Sequence, residues 1–237
     1  MNNVQVLDNI LLSQNVVQEF KNAFANAEFR NWILSIIPEL ADVEKQKQDN
    51  PWHIYDCLDH ILHSVEEMNK QTKDLPKADR RLLAYSMLYH DIGKPACYIR
   101  RYGKAYGREI DSFFNHNKVS AMVAKRSAAS FGFNDNDAKI IEKLVLDHDV
   151  FMYITEDKTS NPYHKQLSKE LIKEHIKDLS SVGDGEKLMR YLIMVGRADN
   201  KAQNPEMTAK PLHMLATMEK MLKELTSGSF ESGNQKG

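Results

Sequence analysis

The run Leu82-Leu83-Ala84-Tyr85-Ser86-Met87-Leu88-Tyr89-His90-Asp91-Ile92-Gly93-Lys94-Pro95 decides how the rest of the chain is read. An apolar helical stretch carries a histidine and an aspartate to its C-terminal end, where Gly93 and Pro95 stop it. Neighbouring helix residues point about 100° apart, so such a pair ordinarily serves different surroundings. At a helix end beside a break, both can turn toward one cavity and hold a cation together. Imidazole with carboxylate suits Zn²⁺, Mn²⁺ or iron, whereas a site for Mg²⁺ alone is more often all oxygen. Lys94 adds a positive charge near whatever the cation binds. Taken alone, such a dipeptide more often marks a buried histidine bonded to its neighbour beside a solvated aspartate, so the remaining chain must decide.

With 237 residues, 42% hydrophobic and 27% charged, the chain can bury the core of one large domain. A net charge of -1 gives no global reason to expect nucleic acid or a membrane surface. Phosphate affinity must therefore be local; RNA stays admissible as a partner but is not indicated. Two cysteines, Cys57 and Cys97, are too few for a disulfide framework and suit a reducing compartment. The first residues lack a basic and apolar leader, and no apolar run approaches a bilayer span. The expectation is cytoplasmic, without membrane association.

Helical spacing in Val4–Phe29 places Val16, Val17, Phe20, Phe24 and Ala27 on one face, and a short segment to Ile37 follows. Asn50-Pro51 reads as a helix start, with Ile54, Leu58, Ile61, Val65 and Met68 as the apolar stripe to Asn69. His60 shares a flank with His53 and Cys57, while His63 points away as a surface residue; His53 reads as a surface residue rather than as a support behind the site, though both readings stand. Asp79 is placed to cap the helix bearing His90 and Asp91. Between Pro95 and Asn115 there is no helical period, so a loop or short hairpin is expected. There Arg100, Arg101, Lys104 and Arg108 alternate with Tyr98, Tyr102 and Tyr106. Guanidinium groups bind phosphate in bidentate fashion and tyrosine rings stack on bases, but a solvated hairpin reads equally well.

His116 opens the next helix, with Val119, Met122, Val123 and Phe131 inward, and Ala138–His148 forms another. Helices follow near Gln166–Leu179, Glu186–Lys201 and Pro211–Leu225. Asp199 closes the stripe Leu188, Leu192, Val195, and a carboxylate there is costly unless paired or metal-bound. The fold class is all-α. Expected bounds are an N-terminal helical extension over 1–37, the main domain over 38–205, a packed helix over 206–226 and a disordered tail over 227–237. His60, His116, His148 and Asp199 thus join His90 and Asp91 as polar residues on inner or flanking faces, the way helical bundles build metal sites.

The order His60 … His90-Asp91-Ile92-Gly93-Lys94 … His116 … His148 … Asp199 resembles the HD superfamily of metal-dependent phosphohydrolases. Pro38-Glu39-Leu40, His53, Phe113-Phe114-Asn115-His116, Arg197-Ala198-Asp199-Asn200 and Ala202-Gln203 resemble the HD domain of bacterial CCA-adding tRNA nucleotidyltransferases. Too little chain precedes Pro38 for the nucleotidyltransferase, so CCA addition is not expected. The resemblance implies an HD-domain helical bundle in which His60, His90, Asp91 and Asp199 hold one metal. It assigns His116 and His148 to a second, bridged by Asp91, and places Lys94 against a substrate phosphate. Two divalent ions per chain are expected, from Fe, Mn, Co, Ni or Zn, with Mg admitted.

The expected activity is hydrolysis of a phosphate ester or diester by metal-activated water, with Asp91 and Lys94 as the catalytic pair. Lys94, Arg100, Arg101 and Lys104 are the expected substrate contacts, and the Tyr/Arg loop tilts the small-molecule phosphate substrate toward a nucleotide. The rivals are a di-iron oxygenase on the same ligand pattern and a non-catalytic nucleotide- or RNA-associated module. Oligomeric state is not legible.

Overall fold

The computed structural model describes residues 2–158 and 160–227. Eleven α-helices among them surround a continuous apolar core: α1 Asn3–Leu11, α2 Val16–Ala25, α3 Ala27–Ile36, α4 Leu40–Val43, α5 Cys57–Gln71 and α6 Lys77–Tyr89 come first. After a hairpin come α7 His116–Ser127, α8 Asp135–Asp147, α9 Lys169–Leu179, α10 Gly185–Lys201 and α11 Pro205–Ser227. The hairpin pairs β1 Ile99–Gly103 with β2 Arg108–Ser112, antiparallel. Two-residue strands, β3 Ile154–Thr155 and β4 Lys165–Gln166, pair in parallel. The fold is all-α, and the expected loop or hairpin is a hairpin, turning through Gly107 at φ 64°. The expected disordered tail falls almost wholly on 228–237, outside the described residues.

α5, α6 and α10 pack on one another, α8 lies against α6 and α10, and α7 lies on α8 and α6. Gly93 makes the junction of α6 and α7 close. A Cβ there would lie 2.5 Å from the His116 carbonyl oxygen and 2.7 Å from the Ser120 amide nitrogen. Only a residue without a side chain lets these two chain segments meet.

Several boundaries differ from the periodic reading, each for a local reason. Val4–Phe29 is not one helix, because Asn15 and Asn26 interrupt it; Asn26 caps α3 through the Glu28 and Phe29 amides, and Ala27 is exposed. The helix expected from Pro51 begins at Cys57 instead. The Asn50 side chain accepts from the Trp52 amide and bonds His53 Nδ1, closing a turn that leaves Ile54 exposed. Asp79 does not cap α6, whose N-cap is Pro76; it receives Lys187 Nζ at 3.0 Å. Met122 faces outward at 70% exposure. The buried face of α7 includes small residues, Ser120, Ala121, Ala124 and Ser127, which suits the close packing of its neighbours. The last helix starts at Pro205, six residues before Pro211, which lies inside it.

Segment 1–37 is tied to the bundle: Asp8 accepts from Arg81 Nε at 2.8 Å and from the Tyr85 hydroxyl at 2.9 Å. No helix among the described residues is long and apolar enough to cross a membrane.

Candidate metal centre

Every residue expected at the metal site sits in the first or last turn of a helix, or just past its end. His60 is in the first turn of α5, His116 opens α7, His90 and His148 directly follow α6 and α8, and Asp199 is in the last turn of α10. Asn115, in the left-handed conformation at φ 63°, turns the chain so that α7 begins on His116. Helix ends let side chains from five elements face one point while the apolar stripes beside them pack.

They do converge. His60 Nε2 lies 3.0 Å from Asp199 Oδ1, 3.1 Å from Asp91 Oδ2 and 3.2 Å from His90 Nε2. His90 Nε2 is 3.4 Å from Asp91 Oδ2 and 3.7 Å from Asp199 Oδ1. On the other side of the same carboxylate, His116 Nε2 is 3.0 Å and His148 Nε2 3.7 Å from Asp91 Oδ1, and the two nitrogens are 3.1 Å apart. Asp91 therefore divides its oxygens between two pairs of imidazoles.

The rings are all oriented alike. Nδ1 of His60 bonds the Ala202 carbonyl at 3.2 Å, His90 that of Met87 at 2.7 Å, His116 that of Phe113 at 2.8 Å and His148 that of Val145 at 2.7 Å. A carbonyl only accepts, so each Nδ1 carries the proton, and in the neutral ring each Nε2 presents a lone pair to the cluster. Four buried lone pairs facing one another and facing carboxylates repel unless cations lie between them. Asp91 Oδ2 is moreover buried without a hydrogen bond of acceptable geometry; Lys94 Nζ, 2.5 Å away, meets it as a charge contact.

The two groups, His60/His90/Asp91/Asp199 and Asp91/His116/His148, each bring one donor atom apiece within 4.8 Å of the others. Ligands about 2.0–2.2 Å from a transition-metal ion sit roughly 3.0–3.6 Å apart along the edges of its coordination polyhedron. The separations observed fall in or near that range, so the residues fit divalent ions.

Without an ion, protons take their place. Burial works against a charged His60, but the bonds to Asp199 and Asp91 outweigh it and push its pKa up to about 9. His148 likewise reaches about 9, burial being outweighed by Asp149 and Asp91. Burial would raise the Asp91 carboxyl, yet Lys94 and His90 hold it well below the usual carboxylate range; burial of Asp199 is overcome by His60 and His90. Both carboxylates are ionised at neutral pH.

The expected substrate contacts fare differently. Lys94 is 4% exposed and its ammonium donates to Gln48 Oε1 at 2.7 Å and reaches His53 Nε2 at 3.0 Å, besides touching Asp91. Three donors meet three partners, so Lys94 fixes Asp91, and a substrate oxygen would have to displace one of them. Arg100 is bound to Asp49 and Asp111, both at 2.7 Å, and Arg108 to Asp49. Arg101 bonds Ser112 Oγ through Nε only and lies over the exposed Phe114 ring at 5.2 Å, which leaves its terminal nitrogens available. Lys104 is exposed at the hairpin turn. The hairpin returns directly to the centre, since Phe113 lies 5.5 Å from Lys94 Nζ and gives its carbonyl to His116.

Three neighbours escaped the sequence reading. His53, read there as surface, packs edge-on against His60 at 5.0 Å and is held by Asn50 and Lys94. Gln203 Nε2 donates to Asp199 Oδ1 at 2.9 Å and orients it. Asp149 faces His116 Nε2 at 3.3 Å and His148 Nε2 at 3.5 Å; its signal was a second His-Asp dipeptide at 148–149. His63, by contrast, is partly exposed, stacked on Tyr55 at 4.2 Å and paired with Glu66.

Among known proteins, a family model described as the HD domain matches residues 57–208. A bifunctional uridylyltransferase/uridylyl-removing enzyme of Cereibacter sphaeroides is 27% identical over 127 residues, 48% of this chain. The matched stretch is 12% of that enzyme's length.

Proposed function

The chain belongs to the HD domain family, a family of metal-dependent phosphohydrolases, and from that premise we propose that it hydrolyses a phosphate ester of a nucleotide at a two-metal centre. The observation that carries this is the Asp91 carboxylate, whose two oxygens each face a pair of Nε2 lone pairs. Two divalent ions supply, when bound, a lowered water pKa and positive charge for the phosphoryl oxygens.

The chain's own residues do the rest. Asp91 stays ionised and spans the two imidazole pairs, and Lys94 holds it in that attitude through Gln48 and His53. Backbone carbonyls fix the four imidazole tautomers, so no ring must rotate when ions enter. His60 and His90 are fully buried, whereas His116, Asp199 and Asp149 are more exposed. On this reading substrate approaches from that side. Arg101 is the guanidinium available for a phosphate there, and Phe114, beneath it, offers a face for a base. The name of the similar enzyme, uridylyl-removing, describes loss of a nucleotidyl group and agrees in kind with this reading.

The test is elemental analysis of the purified protein together with a screen of nucleotides and phosphodiesters. Hydrolysis abolished by a chelator and restored by Mn²⁺, Co²⁺ or Fe²⁺ is expected. Turnover unchanged in excess chelator, or oxygen uptake without phosphate release, overturns the assignment.

A further inference from the structure

The half of the centre that sequence order defines best has a terminal carboxylate. Asp199 Oδ1 sits 3.0 and 3.7 Å from the Nε2 atoms of His60 and His90, opposite the Oδ2 of Asp91. The other half repeats the arrangement with a different residue. Asp149 presents Oδ2 to His116 Nε2 at 3.3 Å and Oδ1 to His148 Nε2 at 3.5 Å. Both rings have their protons on Nδ1, bonded to the Phe113 and Val145 carbonyls. A carboxylate turned toward two neutral rings gains nothing from their lone pairs; only a positive charge between them makes the arrangement favourable. A cation between them makes all three contacts favourable.

We propose that Asp149 is the terminal carboxylate ligand of the second ion. Each ion then takes two imidazole nitrogens, one carboxylate of its own and one oxygen of Asp91. This rests on the two-ion reading above and adds to it a residue and a charge balance. Asp91, Asp149 and Asp199 contribute three negative charges against four positive ones. With Lys94, the loaded centre stays net positive, as binding of a hydroxide and an anionic phosphate requires. A pair of imidazoles with two carboxylate oxygens also suits Mn²⁺ or Fe²⁺ at both positions, with no preference for the softer metals that thiolates select.

The chain supplies a clean test, because Asp149 is half-buried and its ion pairs among the described residues are with these two histidines alone. Asp149→Asn and Asp149→Ala are titrated with Mn²⁺ under anaerobic conditions beside the wild type, following calorimetric stoichiometry and the magnetic coupling of the manganese pair. Expected are two ions in the wild type, and in both variants an unchanged first step with the second weakened at least about 10-fold. The coupled signal is lost, and Asp149→Glu restores part of the affinity. Two ions at wild-type affinity in either Asn or Ala variant, with the wild type still hydrolysing, overturns the Asp149 assignment alone. A wild type that never takes up more than one ion overturns the two-ion reading and this inference together.

Discussion

The buried centre and the β1–β2 hairpin are separated by a few residues of chain, and they treat charge in opposite ways. In the hairpin, exposed guanidinium groups are answered within the protein: Arg100 by Asp49 and Asp111, Arg108 by Asp49. In the centre, buried carboxylates and four inward nitrogens are left facing each other. Exposed pairs contribute little either way, whereas buried, uncompensated donors are costly unless something binds them. Binding capacity therefore resides where the protein has left charge unanswered. By that criterion Arg100, already paired with Asp49 and Asp111, has less to offer a substrate than the centre, where a ligand changes the energetics.

The largest effect expected is at the shared carboxylate. Asp91→Asn removes one charge from both halves and should lose both ions, with activity falling at least about 10³-fold. His148→Ala should lose about one equivalent and retain the first ion, with most activity gone. Metal analysis after loading separates the two variants. If His148→Ala keeps two equivalents, or Asp91→Asn keeps both ions, the two halves are not joined as described.

How much of this contrast was legible beforehand depended on what fixes each residue. His60, His90, His116, His148 and Asp199 lie at the ends of apolar helical stripes, and a stripe is a local pattern with a period. His53 was misjudged because its position depends on a turn. Asn204 bonds the Pro51 and Trp52 carbonyls from about 150 residues away, and Asn50 closes the turn locally. Asp149 sits in a 3₁₀ turn after α8, where no helical period says which way a side chain faces. The outward Met122 shows the complementary failure: an apolar residue near the right spacing loses to small ones where packing is close. In the hairpin the basic composition was visible, but Asp49, the acid that answers both Arg100 and Arg108, lies some fifty residues upstream.

An intermediate effect should appear when metal-free protein is heated at different pH. His60 and His148 hold protons in the folded state up to about pH 9, above the ordinary histidine value near 6.5. A folded pKa raised in this way adds stability that is fully present below about pH 6.5 and is lost as pH rises through about 9. Metal-free protein should therefore melt progressively lower between those limits, while Mn²⁺-loaded protein, with the protons displaced, should not follow the same slope. Metal affinity should rise over the same window because the ions compete with those protons. Melting curves from pH 6 to 9.5, with and without Mn²⁺, test this. Metal-free melting that is flat or rises would show that the cluster does not hold protons where cations belong.

The smallest effect is the one that best sharpens the comparison between hairpin and centre. Arg100 and Arg101 are adjacent and chemically identical, but only Arg101 keeps its terminal nitrogens unpaired, above Phe114. If uncompensated charge marks the substrate contact, Arg101→Ala should raise KM for a nucleotide about 5-fold, the equivalent of roughly 1 kcal/mol, with kcat and metal content nearly unchanged. Arg100→Ala should leave KM within about twofold and lower the melting temperature, since it removes the partner of Asp49 and Asp111 without touching a ligand. Lys104→Ala, at the exposed turn, should fall between them in KM and leave melting unchanged. Phe114→Leu separates base stacking from phosphate binding: a loss for nucleotides greater than for a simple phosphate ester supports a stacked base. Equal KM changes for Arg100→Ala and Arg101→Ala would mean that pairing within the hairpin does not decide which guanidinium meets the substrate.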